Sequence, residues 1–194
     1  MGRKLSFCKN DALGMAAKLL SAKGYEKTCM RDVSDAMQIP VASLYHSFGD
    51  KQQLLQSVLD HYYDNQMKPQ MAALAGAENS YDAIHDYFTQ MIRQAKSCEG
   101  QAGCIMLHAA SELGTDVPPA ATSAKKMLAY AKEQFAAAIT RGQENNQITR
   151  AQNVEFLSAY LVAQVIALNA WLRMDASETQ LVKYVDQALS LIRT

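Results

Sequence analysis

The segment over residues 24–51, GYEKTCMRDVSDAMQIPVASLYHSFGDK, carries side chains that could bind nucleic acid. Thr28 would put a hydroxyl at the start of a short helix, where backbone N–H groups favour a phosphate. Pro40, Val41 and Ser43 would lead a second short helix, whose first side chains can reach base edges and thymine methyl groups in a major groove. Three later side chains can donate to phosphate oxygens, namely Tyr45, His46 and Lys51. Together these residues predict a DNA-binding surface.

Several of these side chains also have a purely structural interpretation. Phe48 would pin the second short helix to the helix that follows it. Tyr45 can do the same with its ring while its hydroxyl stays in water, so the two roles are compatible. His46 and Arg31 could be solvated side chains on a helix surface, although within this segment a phosphate contact is favoured for His46.

A second set of reactive side chains follows helical spacing in the middle of the chain. Cys104, His108 and Glu112 are one turn apart and predict a Cys-His-Glu stripe on one helix face. A metal would need further ligands, and a Cys-His nucleophile would need an orienting group and an oxyanion hole, which the sequence does not show. Sensing of oxidants or electrophiles fits better, because Cys104 follows Gly103 at a predicted helix start, where the helix dipole favours a thiolate. A buried core cysteine is the alternative, and Cys98 could act as a resolving partner.

Methionine and aromatic side chains recur on the predicted helices of the rest of the chain. Met91, Met127 and Trp171 are candidates for lining an effector pocket, since Met-rich interiors adapt to varied apolar ligands, but the same residues could form ordinary core. Cys29, by contrast, is expected in the packed face of the N-terminal helices. We expect an unidentified small molecule or electrophile as effector, no cofactor and no metal.

The elements that must position these groups are predicted to be helices. Apolar residues recur with helical spacing and no hairpin signal separates β-branched runs, so the fold class is all-α. The N-terminal helices are predicted over residues 10–23, capped by Asn10 or Asp11 and ended by Gly24; 29–37, capped by Thr28; 40–48; and about 51–73, capped by Asp50. The two short helices around the break before Pro40 form a helix-turn-helix, and the first four helices form one head.

The remaining helices are predicted to form a helical bundle behind this head. One begins at Ser80, and the others cover residues 104–113, 123–145, 153–173 and 177–192, with loops over 97–103 and 114–119. The last two have wide apolar faces that would pair across a two-fold axis as a four-helix dimer interface, unless they only close the core of a monomer. We expect a DNA-binding domain over residues 1–50 and an effector-binding and dimerisation domain over 51–194.

Composition limits the class of protein. The chain has 194 residues, 49% of them hydrophobic, which is enough for a substantial core. Its 19 basic and 19 acidic side chains cancel, although residues 1–60 hold eight and six of them (8 − 6 = +2). Four scattered cysteines suggest neither a disulfide framework nor zinc. A signal peptide and an uninterrupted apolar run of about 18 residues are both lacking, so a cytoplasmic protein without a membrane partner is expected.

Residues 11–59 resemble the DNA-binding domain of the TetR family of bacterial regulators, above all through LYHSFGDK and the preceding AMQIP. The resemblance implies a homodimer with about nine helices in each chain, two helix-turn-helix heads and a ligand pocket in the body. It matches Thr28, Tyr45, His46 and Lys51 to phosphate-contacting positions, and Pro40, Val41 and Ser43 to the base-reading region. The GCIMLHAASELG segment is also similar to one in family members that sense electrophiles through a cysteine.

Three positions depart from the family pattern. Gln38 replaces a common turn glycine, Val41 a common lysine and Ala42 a common glycine. The loss of the lysine weakens nonspecific attraction to DNA, while Val41 offers an apolar surface that suits a thymine methyl group. The operator sequence of relatives therefore does not transfer to this chain.

The leading hypothesis is a ligand- or redox-responsive transcriptional regulator, a repressor that an effector releases from double-stranded operator DNA, and not an enzyme. One alternative is an all-α protein-interaction or small-molecule-binding module whose helix-turn-helix does not bind DNA. A cysteine enzyme is the third, and it would require turnover that depends on Cys104.

Overall fold

The computed structural model of the chain describes residues 8–97, 104–113, 118–174 and 176–194. Its α-helices are α1 (Lys9–Lys23), α2 (Met30–Met37), α3 (Val41–Phe48), α4 (Lys51–Tyr62), α5 (Lys68–Ala72), α6 (Ser80–Ser97), α7 (Ile105–Leu113), α8 (Pro118–Glu144), α9 (Val154–Arg173) and α10 (Glu178–Leu189). A π-helical turn, Tyr63–Met67, joins α4 to α5 without a break, and a 3-10 turn, Ser190–Ile192, follows α10. In these ranges β-type pairing is limited to one isolated bridge between Ile148 and Arg193. The predicted all-α fold class is confirmed.

Contacts divide the chain into two compact units. The first consists of Met1–Gln66 and Cys104–Ala124, and the second of Met67–Gly103 and Lys125–Thr194. Helix α7, which the sequence placed in the body, therefore belongs to the first unit, where it packs against α1. The predicted boundary after residue 50 concerns function rather than packing, and it stays a prediction.

The core of the first unit forms where α1 packs against α2 and α4. Ala16 of α1, Leu44 of α3 and Val58 of α4 are all fully buried. Burying a side chain of the size of valine or leucine contributes roughly 1.5–3 kcal/mol, so the apolar stripes of these helices hold the short helices in place. The predicted ends of α1 at Gly24 and of α3 at Gly49 are confirmed, and both glycines have positive φ angles, 83° and 75°.

The turn between α2 and α3 is made by Gln38, which has φ 56° and ψ 39°. This left-handed conformation costs a residue other than glycine roughly 1–2 kcal/mol. The side chain offsets part of that cost, because Nε2 of Gln38 donates a hydrogen bond to the carbonyl of Asp35 at 2.8 Å. The turn is thus formed without the glycine that the TetR resemblance leads one to expect.

The predicted start of α2 is wrong by one residue. The N-cap is Cys29 rather than Thr28, and its backbone N–H donates to Oδ2 of Asp32 at 2.8 Å. Thr28 instead donates its hydroxyl to the carbonyl of Gly24 at 2.7 Å and is 1% exposed. Cys29 is exposed, so the expectation that it lies in the packed face of the head is also wrong.

Two further helix starts were placed too late. Helix α1 begins at Lys9 after the N-cap Cys8, so neither Asn10 nor Asp11 caps it. Helix α8 begins at Pro118 rather than Ser123. Proline suits a first helical position because its φ angle is preset and the missing N–H would have no intrahelical partner there. The predicted loops, with Cys98 in the first, lie largely outside the described residues.

The second unit is organised around aromatic side chains of α6 and α8. Phe88 and Phe135 stack with ring centroids 6.1 Å apart, and Tyr87 meets both rings edge-on. The predicted start of α6 at Ser80 is confirmed, and Oδ1 of Asn79 accepts the N–H groups of the first turn.

One described helix, Val154–Arg173, is long and apolar enough to cross a membrane, with a mean hydropathy of 1.4 over its best window. A third of that window is buried within the chain. The helix also begins with a capped, charged turn, since Asn153 accepts the N–H of Phe156 and Glu155 follows. A partly buried helix of a folded domain gives the same signal, so its composition alone is weak support for a membrane span.

Candidate DNA-binding interface

Helix α3 has one face buried in the core of the first unit and the opposite face exposed. Leu44 and Phe48 are 0% and 5% exposed and anchor one face of the helix in the core of the first unit. Tyr45 and His46 lie on the other face and are exposed, Tyr45 by 50%. Helical periodicity produces this division, because positions 44 and 48 are one turn apart while 45 and 46 point away from them. The structural interpretation of Phe48 as an anchor is confirmed.

The first turn of α3 presents the predicted base-reading side chains. Pro40 is the N-cap, with φ −55° and ψ 137°, and is exposed. Val41 and Ser43 are half-buried, and Ala42 between them is exposed. A short side chain at Ala42 leaves the backbone of this turn open to close approach. The start of α3 therefore presents small groups beside the larger Tyr45 and His46.

Lys51 is not a freely extended side chain. Its ammonium group lies 4.1 Å from the ring centroid of Tyr25, in a cation–π contact. Tyr25 is buried, and burial is the main cause that raises the pKa of its hydroxyl, followed by the charges of Glu26 and Asp50. Sequence reasoning missed this contact because residues 25 and 51 lie in different elements and no local pattern pairs them.

The N-terminus of α4 fixes the backbone of Lys51. Oδ1 of Asp50 accepts the N–H of Gln53, and the N–H of Asp50 donates to Oε1 of Gln53, both at 2.9 Å. This reciprocal capping box confirms Asp50 as the predicted cap. Gly49 before it has φ 75°, which residues other than glycine rarely adopt, and a Cβ there would also displace Oε1 of Gln53, 1.8 Å away, from the cap.

An ion pair holds α2 against the end of α1. Nζ of Lys23 lies 3.0 Å from Oδ1 of Asp32. The pKa of Asp32 is lowered to about 2, first by the backbone N–H of Cys29, then by the Cys29 side chain and Lys23. The carboxylate therefore stays ionised at neutral pH and links the cap of α2 to the last turn of α1.

Glu112, the last residue of the predicted Cys-His-Glu stripe, binds two backbone N–H groups of the first unit. The two carboxylate oxygens of Glu112 accept the backbone N–H groups of Tyr25 and Glu26, at 2.9 and 3.0 Å. Cys104 is half-buried at the start of α7, and the side chain of His108 lies outside what the structure describes. Within the described ranges no group of three or more His, Cys, Asp or Glu side chains is placed to hold a metal.

The remaining effector candidates do not form one described pocket. Met91 is half-buried, Met127 is 3% exposed, and Trp171 is 41% exposed and stacks on Tyr184 at 5.3 Å. A groove of about 340 Å³ in the second unit is lined by other residues, among them Leu74, Asp82, Asp86 and Tyr87. Trp171 thus belongs to the outward face of the last two helices, and the pocket assignment stays a prediction.

A recognition helix anchored by buried side chains, with small and polar groups facing outward, defines the class as a helix-turn-helix DNA-binding regulator. The comparisons with known proteins name the family. Residues 13–58 match the model for bacterial regulatory proteins of the tetR family, and residues 80–188 match that for tetracyclin repressor-like C-terminal domains. The chain belongs to the TetR family of transcriptional regulators. Since the family consists of regulatory proteins, the prediction that the chain is not an enzyme is confirmed.

Relatives and solved structures extend the match to nearly the whole chain. The transcriptional repressor ComR from Escherichia coli is 28% identical over 98% of this chain and 91% of its own length. A cysteine mutant of CifR, solved with 26-bp double-strand operator DNA, has a TM-score of 0.88 at 21% identity and covers 98% of this chain and 100% of its own. The reduced form of NemR from Escherichia coli has a TM-score of 0.83 at 19% identity, with coverages of 95% and 97%. At these identities the two structures show the fold alone.

Proposed function

We propose that the protein is a cytoplasmic, homodimeric repressor that an effector releases from double-stranded operator DNA. The observation that carries this proposal is the outward face of α3, with Tyr45 and His46 exposed on a helix anchored by Leu44 and Phe48. The similarity to ComR, a repressor, and to CifR, solved on operator DNA, supports the same function.

The proposed roles divide between base reading and phosphate binding. Pro40, Val41 and Ser43 contact base edges, with Val41 against a thymine methyl group. Tyr45 and His46 donate to phosphate oxygens, and so does Lys51 at the start of α4. The proposed DNA contacts thus come from the exposed face of α3 and from the first residue of α4.

Thr28 is better placed to hold the turn after α1 than to reach a phosphate. Its side chain is 1% exposed and its hydroxyl proton is already donated to Gly24. The hydroxyl oxygen could still accept a hydrogen bond, but a phosphate oxygen has no proton to donate. Its predicted phosphate contact therefore lacks support from the local geometry.

Titration with mixed-sequence duplex DNA tests this proposal. Lys51→Ala should lower the slope of log K against log salt by about one unit and weaken binding to all sequences alike. Lys125→Ala removes a similarly charged, exposed lysine of α8 and should leave the slope unchanged. Substitution of Val41 or Ser43 should instead alter base preference. A protein whose duplex binding has no salt dependence would be the all-α interaction module rather than a repressor.

We infer the dimer from the apolar surface of the last two helices. The exposed large apolar side chains of this region are Phe156, Ile166, Trp171, Met174, Val182 and Leu191. Tyr160 and Tyr184 lie partly buried among them, their hydroxyls bonded to the carbonyl of Ala188 and to Gln164. A second copy of this surface would cover these side chains, as in a four-helix interface.

Cys104 is the proposed site of effector action. Cys104 directly precedes α7, which packs against α1, and we propose that oxidants or electrophiles react with its thiol. The solved structures of similar fold include a cysteine mutant of CifR and the reduced form of NemR. A noncovalent apolar ligand near Met91 and Met127 of the second unit is the alternative to a reaction at Cys104.

A further inference from the structure

Besides its packing against α1, helix α7 binds two consecutive backbone amides of the head through one carboxylate. Oε2 of Glu112 accepts the N–H of Tyr25 at 2.9 Å, and Oε1 accepts the N–H of Glu26 at 3.0 Å. These amides follow directly after α1, whose last turn ends at Gly24. Hydrogen bonds from a backbone N–H to an ionised carboxylate are stronger than neutral ones, so the pair fixes this turn closely.

Gly24 makes the close approach of this carboxylate possible. A Cβ at this position would lie 2.9 Å from Oε1 and 3.1 Å from Oε2 of Glu112. The glycine also has φ 83°, a conformation that other residues rarely adopt. The end of α1 is therefore shaped to admit Glu112 as well as to stop the helix.

The turn held by Glu112 carries the ring on which Lys51 rests. Tyr25 is 7% exposed, and its ring centroid lies 4.1 Å from Nζ of Lys51. Its backbone N–H is the group that Glu112 binds. A displacement of Glu112 would move the backbone of Tyr25, and the ring would no longer support the ammonium group in the same place.

We propose that Glu112 is a positioning residue of the DNA-binding head, which sets the location of the Lys51 ammonium group through Tyr25. This inference rests on the proposed contact of Lys51 with a phosphate. Helix α7 thereby acts on DNA affinity through a single turn, and α3 need not change its own packing. Neither the base-reading residues nor the core of the helix-turn-helix takes part in this linkage.

A double-mutant cycle on mixed-sequence duplex DNA tests the linkage. One phosphate contact changes log K by about 0.9 for each tenfold change in salt, or about eightfold in affinity between 0.1 M and 1 M salt. Glu112→Gln keeps the size of the side chain but turns an amide NH2 toward one of the two donors. It should weaken binding by about twofold to eightfold and lower the salt slope, and it should have no further effect in a Lys51→Ala background. Glu133→Gln, at an exposed site of α8, is the matched control and should change neither.

Hydrogen exchange gives a second measurement that does not depend on DNA. The amides of Tyr25 and Glu26 should exchange faster in Glu112→Gln than in the wild type, while amides inside α4 should not. Equal weakening by Glu112→Gln in both backgrounds would show general destabilisation and overturn the inference. The inference would also be overturned if Glu112→Gln bound DNA as the wild type does while Lys51→Ala lowered the affinity and the salt slope as expected. If Lys51→Ala itself left the salt slope intact, the phosphate role of Lys51 would fail, and the inference with it.

Discussion

Asp50 combines a structural role with an unfavourable charge, and substitutions can separate the two. Its carboxylate caps α4 by accepting the N–H of Gln53 at 2.9 Å, and its own N–H is satisfied by Gln53 in return. It is also an exposed negative charge directly before Lys51, on the surface proposed to face phosphates. Asp50→Asn removes the charge and keeps the cap, whereas Asp50→Ala removes both.

The expected magnitudes follow from these contacts. Loss of an N-cap to alanine costs about 1 kcal/mol, while asparagine caps as well as aspartate does. For a chain of this length, about 1 kcal/mol lowers the unfolding temperature by roughly 2–4 °C. For an assumed distance of about 8 Å from a phosphate, removing one negative charge in water should raise DNA affinity by about 2.4-fold without salt and by about 1.4-fold at physiological ionic strength. Asp50→Ala should thus be less stable, while both variants bind mixed-sequence DNA more tightly.

Thermal unfolding and a DNA titration at two salt concentrations measure the two effects independently. Glu133→Gln removes an exposed carboxylate from the middle of α8 and should change neither the unfolding temperature nor DNA affinity. If Asp50→Asn lost as much stability as Asp50→Ala, the charge rather than the cap would stabilise α4. If neither variant bound DNA more tightly, Asp50 would not lie near the phosphates, and the proposed phosphate contact of the adjacent Lys51 would be refuted.

Three further predictions concern pH, assembly and sensing. In the folded protein the pKa of Asp32 is lowered from 3.8 to about 2. The ionised carboxylate therefore stabilises the fold above pH 3.8, and this contribution is lost as the pH falls toward 2. Asp32→Asn should remove this pH dependence from the free energy of unfolding. Ile166→Glu should convert the dimer to monomer in sedimentation, whereas Met15→Glu, at a site of similar exposure (44% against 43%), should not; a stable folded monomer of the wild type at micromolar concentration would refute the interface. A small electrophile should lower the operator affinity of the wild type and of Cys29→Ser but not of Cys104→Ser. An equal loss of affinity in the wild type and in Cys104→Ser would favour a noncovalent effector.

The fold of the head was predictable because its signals are local. Gly24, Gly49 with Asp50, and Pro40 each mark a helix end through their own backbone preferences, and all these boundaries agree with the structure to within one residue. Side-chain type alone predicts Thr28 as the N-cap of α2. The structure selects Cys29, because Asp32 three residues later completes the cap from the other side.

The contacts that organise the site were not predictable in the same way. Glu112 meets Tyr25 across 87 positions of sequence, and Lys51 meets the same residue from another helix. Helical spacing placed Glu112 on a face with Cys104 but could not say what that face would meet. A partner of this kind is set by tertiary packing, which neither periodicity nor capping rules encode.

Helix α7 joins the proposed sensor to the proposed positioning residue. Eight residues separate Cys104 from Glu112, or about 12 Å along a helix. A twofold to eightfold loss of operator affinity, the range expected when the Lys51 contact is weakened, needs only about 0.4–1.2 kcal/mol of coupling. Loss of one of the two Glu112 contacts is expected to produce this loss through Lys51, without unfolding of the helix-turn-helix. Glu112→Gln already lacks one of the two contacts, so an electrophile should reduce its operator affinity less than that of the wild type, even though Cys104 is intact in both. An equal reduction in the two proteins would mean that the effect of the electrophile reaches the DNA-binding surface by another route.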